Sequence, residues 1–263
     1  MKRFVVDPGK AIGDVLSSSG AYSTWPVSAY GGQGLPPCDE VVIVATGVDE
    51  TTRQNVLLPL IETGAQKAKR LVLLSSLDVY PTRGLPLDER YVDPCAPRTA
   101  LGWLESAVAE RSRRGVVLRL PDVFGPSITD GAAGALLDRE ASGLNRVAIH
   151  QWYPVRRLRR DIARALRLDV RVVNLATEPL PMADVLMQFF PGQMGQVRSP
   201  APYSRIRTRY AAAFGGAGDY IMTASDVLAE MRACVLAHRR EKAAAAPSRR
   251  VEGGGEGASA SLA

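Results

Sequence analysis

The sequence predicts an α/β protein: a doubly wound parallel sheet with a small C-terminal α/β lobe. Two observations carry that expectation. Short apolar runs alternate along the chain with longer amphipathic segments, the order of a β-α-β-α protein. The runs themselves, such as "VVIV" at 41–44 and "LVLL" at 71–74, are continuous, as in strands covered by helices on both faces. A chain of 263 residues with 46% hydrophobic content can bury such a core as one large domain, or as one domain with a smaller lobe.

Arg3–Val6 reads as a short first strand, and "AIGDVLSS" (11–18) opens a helix behind it. Residues 20–37, rich in Gly, Ser and Pro, read as loop with room for one strand. Glu40–Thr46 is a buried strand rich in β-branched residues. The next helix is capped near Asp49 or Thr51, turns Val56, Leu57, Leu60 and Ile61 inward, and is kinked at Pro59. Arg70–Ser76 is a strand. The helix in 97–113 puts Leu101, Leu104 and Val108 on one face. "GVVLRLPDVFGP" (115–126) is a strand broken by Pro121 and ended by Gly125-Pro126. A helix in 155–168 buries Val155, Leu158, Ile162 and Ala165; 170–176 is a strand and 181–190 a helix. Residues 195–222 are irregular, and a last helix starts at Thr223 or Ser225. The chain thus divides into a sheet domain over 1–150, completed by later segments, a region over 151–240 with the remaining sheet elements and the small lobe, and a low-complexity, disordered tail over 241–263.

Several function classes are set aside. No apolar run approaches the roughly 20 residues of a membrane helix, and "MKRFVVD" turns polar too soon for a secretory signal. Three scattered cysteines and two histidines, His150 and His238, hold no metal-ligand spacing, which fits free thiols in a reducing cytoplasm and no metal. The net charge of +6 comes from arginine, with only five lysines, and the aromatics (6%) do not interleave with it, so no nucleic-acid partner is expected. The expected partner is a small molecule; a homodimer is open.

In parallel sheets ligands bind at the carboxyl ends of strands. "RLVLLSSLDVYP" (70–81) delivers Ser75, Ser76, Asp78 and Tyr80 to one such end, and Asp122 lies at another. "NRVAIHQWYP" (145–154) crowds Gln151, Trp152 and Tyr153 beside His150, a candidate base, and an arginine-rich run follows from Arg156 to Arg171.

The order of motifs resembles the extended short-chain dehydrogenase/reductases, the NAD-dependent epimerase/dehydratase group, whose dinucleotide-binding domain is Rossmann-like. "LVLLSSLDVYP" resembles its serine strand, "RQNVLLPLIETG" the helix before it, "LRLPDVFGP" its Leu-Arg-x-x-Asn-Val-Tyr-Gly-Pro segment, "RDIARAL" its Asp-Asp-x-Ala helix, and "VVNLATEPLPMADVL" its substrate-lobe strand and helix. The resemblance implies NAD or NADP held near Gly9, Lys10, Gly13, Thr46 and Pro121. It implies a substrate held by Asp122, Gln151, Trp152, Tyr153 and Arg157, with Ser76 and Asp78 catalytic.

Two departures qualify what it implies. The glycine motif is eroded: in "VVDPGKAIGDVL" Asp7 or Pro8 stands where the first glycine belongs, which puts a carboxylate near a phosphate position. The Tyr-x-x-x-Lys pair that moves the proton in that group is absent from the chain. Matching by Gly102 puts Leu101 and Glu105 at the pair; matching by distance puts Pro97 and Leu101 there. The nearest substitutes, Tyr153-x-x-x-Arg157 and Tyr203-x-x-x-Arg207, lie outside that helix. The leading reading is an atypical NAD(P)-dependent oxidoreductase or epimerase acting by hydride transfer on a nucleotide sugar or a related polyol or ketone. The alternatives are a non-catalytic pseudoenzyme that binds a ligand or partner, and a cofactor-independent isomerase or lyase in the same cleft.

Overall fold

The computed structural model describes residues 1–26, 35–82, 84–91, 99–129, 131–138, 140–193 and 195–245. Strand β1 (Arg3–Val6) leads into α1 (Ala11–Ser18) and the short β2 (Ser23–Thr24). Next come β3 (Glu40–Val44), α2 (Glu50–Thr52), a π turn (Arg53–Leu57) and α3 (Leu58–Lys67). The middle of the chain gives β4 (Leu71–Ser76), α4 (Ala100–Arg111), β5 (Gly115–Leu120), β6 (Asp122–Phe124) and α5 (Gly131–Asp138). Then follow β7 (Ile149–His150), β8 (Trp152–Pro154), α6 (Leu158–Ala165), β9 (Val172–Asn174), β10 (Leu180–Pro181), α7 (Met182–Phe189) and α8 (Ala224–Ala245).

Six strands form one sheet in the order β2-β1-β3-β4-β5-β9. Every pairing in it is parallel. The doubly wound architecture expected from the sequence is therefore present. Its apolar runs are continuous because alternate residues serve opposite faces. Val42, Val44, Val72 and Leu74 pack with Ile12 and Leu16 of α1 and Ile162 of α6. Val41, Ile43, Leu71 and Leu73 pack with Leu57, Leu60 and Ile61 and with Leu101 and Leu104 of α4. The chain winds outward from β1 to β2, then returns to place β3 on the other side of β1. That reversal opens a crevice beyond the carboxyl ends of β1 and β3.

Local chemistry sets the element ends. The Asp49 side chain accepts from the Thr52 N–H at 2.9 Å and starts α2. Pro59, which has no N–H to donate one turn back, takes a place in the first turn of α3, directly after the π turn. Thr99 caps α4 through the Gly102 N–H at 3.1 Å. At the start of α8, the Thr223 hydroxyl and the Asp226 carboxylate each accept the other's backbone N–H, a capping box.

The C-terminal lobe is built on two small ladders, β7 antiparallel to β10 and β6 parallel to β8. Its helices share the main core: Val185 and Phe189 of α7 and Val227 and Met231 of α8 join the cluster under α1 and α6. Residues 241–245, expected in the tail, belong to α8, which runs to Ala245; the rest of the expected tail lies outside the described residues. Among the described residues no helix is long and apolar enough to cross a membrane.

A polar network fastens β4 to its neighbours. Glu105 of α4 accepts from the Ser75 hydroxyl at 2.5 Å and from the Arg119 guanidinium at 2.6 Å. That guanidinium stacks over the Tyr80 ring at 4.9 Å, and the Tyr80 oxygen accepts from Asn174 at 2.7 Å. Glu105→Ala strands the Arg119 charge in the interior and is expected to lower unfolding stability by about 3–5 kcal/mol in urea titration; a loss under about 1 kcal/mol would contradict this role.

Burial, with hydrogen bonding to a neighbouring carboxylate, raises the phenol of Tyr22, which bonds to the buried Glu40. The folded chain keeps this phenol protonated above the pH of about 10 at which an unfolded tyrosine ionises. Its contribution is full below that pH and is lost as pH rises from there through the raised value of the folded state. Tyr22→Phe is expected to flatten the alkaline fall of the urea midpoint; an unchanged slope would assign the fall to other groups.

Candidate functional site

The crevice at the β1–β3 reversal is a cleft of about 440 Å³, within the size range of small-molecule sites. Its wall carries Asp7 and Gly9 after β1, Thr46 and Gly47 after β3, Ser76 and Asp78 after β4, and Pro121 and Asp122 after β5. His150 and Trp152 close it from the lobe side, and Ile128 and Ala133 make it apolar there.

The first turn of α1 departs from a simple phosphate cradle. Asp7 is buried, and its carboxylate accepts the Gly9 N–H at 3.0 Å and the Gly13 N–H at 2.7 Å. This negative side chain satisfies part of the positive N-terminal end of α1. A Cβ on Gly13 would lie 3.0 Å from the Asp7 Cβ, so the glycine is needed for the carboxylate to come this close. Lys10 turns the chain into the helix at φ 67°, a left-handed value a lysine rarely takes, and it is exposed outside the cleft lining. Among the described residues nothing accepts from the N–H groups of Ala11 and Ile12, and both residues face the cleft. A diphosphate group fits here on these two donors, with Asp7 as a charge it must approach.

Two hydrogen-bonded side-chain pairs face the same space. The Ser76 hydroxyl donates to Asp78 Oδ2 at 2.8 Å, and the Asp78 N–H donates back to the Ser76 oxygen at 3.1 Å. His150 Nδ1 lies 2.6 Å from Asp122 Oδ2. The parallel pairing of β6 with β8 sets this second contact, because Asp122 stands opposite Trp152, two residues past the histidine. The His150 side chain is 17% exposed and that of Asp122 38%, so the ring is sheltered while the cleft still reaches it. The Trp152 indole N–H is buried and has no acceptor among the described residues.

Other expected site residues lie elsewhere. Gln151 is a core staple: its amide donates to the carbonyls of Thr177 (2.6 Å) and Ile206 (2.7 Å) and accepts from Ser204 (2.6 Å) and the Ile206 N–H (3.0 Å). Tyr153 is fully buried and donates to Asp161 at 2.9 Å. Arg157 donates to the Phe214 carbonyl at 3.2 Å and pairs with Asp161. None of the three lines the cleft, so the expectation that they hold substrate is corrected: their polar groups are consumed inside the fold. Gly13 likewise acts through Asp7. At the positions matched to the Tyr–Lys pair, Leu101 is buried in the core and Glu105 is bound to Ser75 and Arg119; Pro97 lies outside the described residues. Sequence reading had no local signal for α5 or for the His150–Asp122 contact, which joins residues 28 positions apart.

No family model matches the chain, and no curated protein matches it in sequence. Solved structures do match in fold. Human epimerase family protein SDR39U1 (isoform 2) with NADPH is 18% identical, with a TM-score of 0.62, covering 90% of this chain and 99% of that chain. The Bordetella bronchiseptica enzyme WbmH in complex with NAD+ is 16% identical, with a TM-score of 0.62 and coverage of 91% and 98%. The UDP-N-acetylglucosamine 4-epimerase of Methanobrevibacter ruminantium in complex with UDP-N-acetylmuramic acid is 14% identical, with a TM-score of 0.64 and coverage of 91% and 98%. The fold is thus the Rossmann-like fold of these structures, with the cleft at its topological switch point.

If Gln151 is a staple rather than a substrate contact, Gln151→Leu orphans the Ser204 hydroxyl and three backbone groups. A stability loss of about 2–4 kcal/mol is expected in urea titration, with small-ligand affinity unchanged. A stable variant with weakened ligand binding would return Gln151 to the site.

Proposed function

We propose that the chain is an atypical NAD(P)-dependent oxidoreductase or epimerase acting on a nucleotide sugar or a related polyol or ketone. The observation that carries this reading is the convergence of Ser76–Asp78 and His150–Asp122 on one switch-point cleft that also presents the free N–H groups of α1. The fold neighbours solved with NADPH, NAD+ and a UDP-sugar support the class.

A bound nicotinamide supplies the hydride acceptor or donor. The chain's residues do the rest. The Ala11 and Ile12 N–H groups would hold the diphosphate of the dinucleotide, with Thr46 and Pro121 on the wall beside it. On substrate binding the Ser76 hydroxyl turns from Asp78 Oδ2 to donate to the reacting oxygen of the substrate, while the Asp78 N–H keeps the Ser76 oxygen in place. Asp78 is exposed and closes a local turn with Ser76, so its role is to hold that hydroxyl. His150 moves the proton. With Nδ1 held by Asp122, the neutral ring offers Nε2 as acceptor, and the carboxylate stabilises the imidazolium that forms. This dyad takes over the work that a Tyr–Lys pair does in the group the sequence resembles. In the oxidative direction His150 Nε2 would take the proton of the substrate hydroxyl, and in the reductive direction it would return it.

A second reading, a non-catalytic ligand-binding protein, is favoured by one feature, the Asp7 carboxylate at the dinucleotide end of the cleft.

The test is nicotinamide absorbance at 340 nm over a panel of UDP- and dTDP-sugars, with product analysis for epimers, which turn over no net nicotinamide. Turnover is expected in the wild type, reduced at least tenfold in Ser76→Ala and about a hundredfold or more in His150→Gln. Equal rates in His150→Gln and wild type would remove the dyad from the mechanism. No turnover of any nucleotide sugar, polyol or ketone would favour the second reading.

A further inference from the structure

A second cavity, of about 520 Å³, lies at the opposite, amino end of the sheet. The strands between the two ends are four to six residues long, a separation on the order of 15 Å. Three adjacent strand starts supply its floor: Arg3 opens β1, Glu40 opens β3, and Arg70 directly precedes β4. The exposed face of α6 and the turn after it supply its wall through Arg159, Arg160 and Arg167. Five guanidinium groups therefore face one carboxylate and one phenol.

That carboxylate does not neutralise the cavity. Glu40 is 2% exposed, accepts the Tyr22 hydroxyl and holds Arg70 at 3.3 Å, so it fixes the floor in place. The Arg3 Nε is buried and has no hydrogen-bond acceptor among the described residues; it is only loosely paired with Glu40, at 4.0 Å. Elsewhere in the run the arginines are used: Arg156 pairs with Glu230, Arg157 and Arg164 with Asp161, and Arg171 with the last carbonyls of α4. Arg160 shares Asp161 at 3.2 Å. No side-chain partner is present among the described residues for Arg159 or Arg167, and both turn to this cavity.

We infer that this cavity is a binding site for a small polyanion carrying two or more phosphoryl groups. Convergent guanidinium forks match phosphoryl oxygens in pairs and hold charge in fixed geometry. The volume exceeds what one inorganic phosphate fills and suits a di- or triphosphate chain. The inference is independent of the proposed hydride chemistry, since no residue is shared with the cleft.

The test is calorimetric titration of the full chain with sodium tripolyphosphate, with and without saturating NADPH. Saturable binding that survives NADPH is expected, with affinity at least tenfold weaker in Arg159→Ala/Arg167→Ala. The control Arg232→Ala/Arg240→Ala, two exposed arginines on α8, is expected to bind like the wild type. Absence of saturable binding at millimolar tripolyphosphate would overturn the site, as would an equal loss in both double variants, the mark of diffuse charge. Complete displacement by NADPH would also overturn it, by assigning the binding to the cleft.

Discussion

The carboxylate of Asp7 joins the end of β1 to the start of α1, and the candidate site is arranged around that link. It takes the Gly9 and Gly13 N–H groups, fixes the sharp turn through Pro8 and Lys10, and leaves the Ala11 and Ile12 N–H groups at the helix start with no acceptor among the described residues. A backbone cradle for phosphate becomes a half-cradle with a negative charge on its rim. In isolation the exchange disfavours a dinucleotide. In context the cleft keeps its size, its two remaining donors and a position at the sheet's reversal, where anionic ligands are drawn to the helix end.

Around that link the protein has moved its polar chemistry. The helix that carries a Tyr–Lys pair in the resembling group uses Glu105 here to brace Ser75 and Arg119, so α4 stabilises the sheet and does not line the cleft. The polar side chains that line the cleft come instead from strand ends: Ser76 with Asp78 after β4, and Asp122 after β5, joined by His150 from the lobe. Arginine is divided in the same way. Asp161, fully buried, gathers Arg157, Arg160 and Arg164 into the packing of α6, while Arg159 and Arg167 are left over the opposite cavity.

The parts legible in the sequence were those dictated by burial on two faces. Strands such as Val41–Val44 and Leu71–Leu74 announce themselves because each residue meets a helix layer. Ser76, Asp78 and Asp122 followed from strand ends, and all three line the cleft. Asp7 was legible as a carboxylate near a phosphate position. Ladders of two or three residues, such as β6 with β8, carry no periodic signal, so the His150–Asp122 contact was not legible. Gln151 and Tyr153 misled for a physical reason: a large amphipathic side chain reads as a ligand contact until its partners are known. Those partners, Thr177, Ser204 and Ile206 for Gln151, are 26 to 55 residues away. Asp161, by contrast, has Arg157 four residues before it and Arg164 three after, a spacing that marks a helix-face network.

The central claim is that the half-cradle still takes a dinucleotide and that Asp7 sets its affinity. Fluorescence titration of NADH and NADPH against the wild type and Asp7→Asn tests it directly, since asparagine can still accept one of the two N–H groups without the charge. Saturable binding that tightens roughly tenfold in Asp7→Asn, as expected for removing a like charge a few ångströms from a phosphate, is the result the account requires. No binding of either nucleotide at millimolar concentration in both proteins would contradict it.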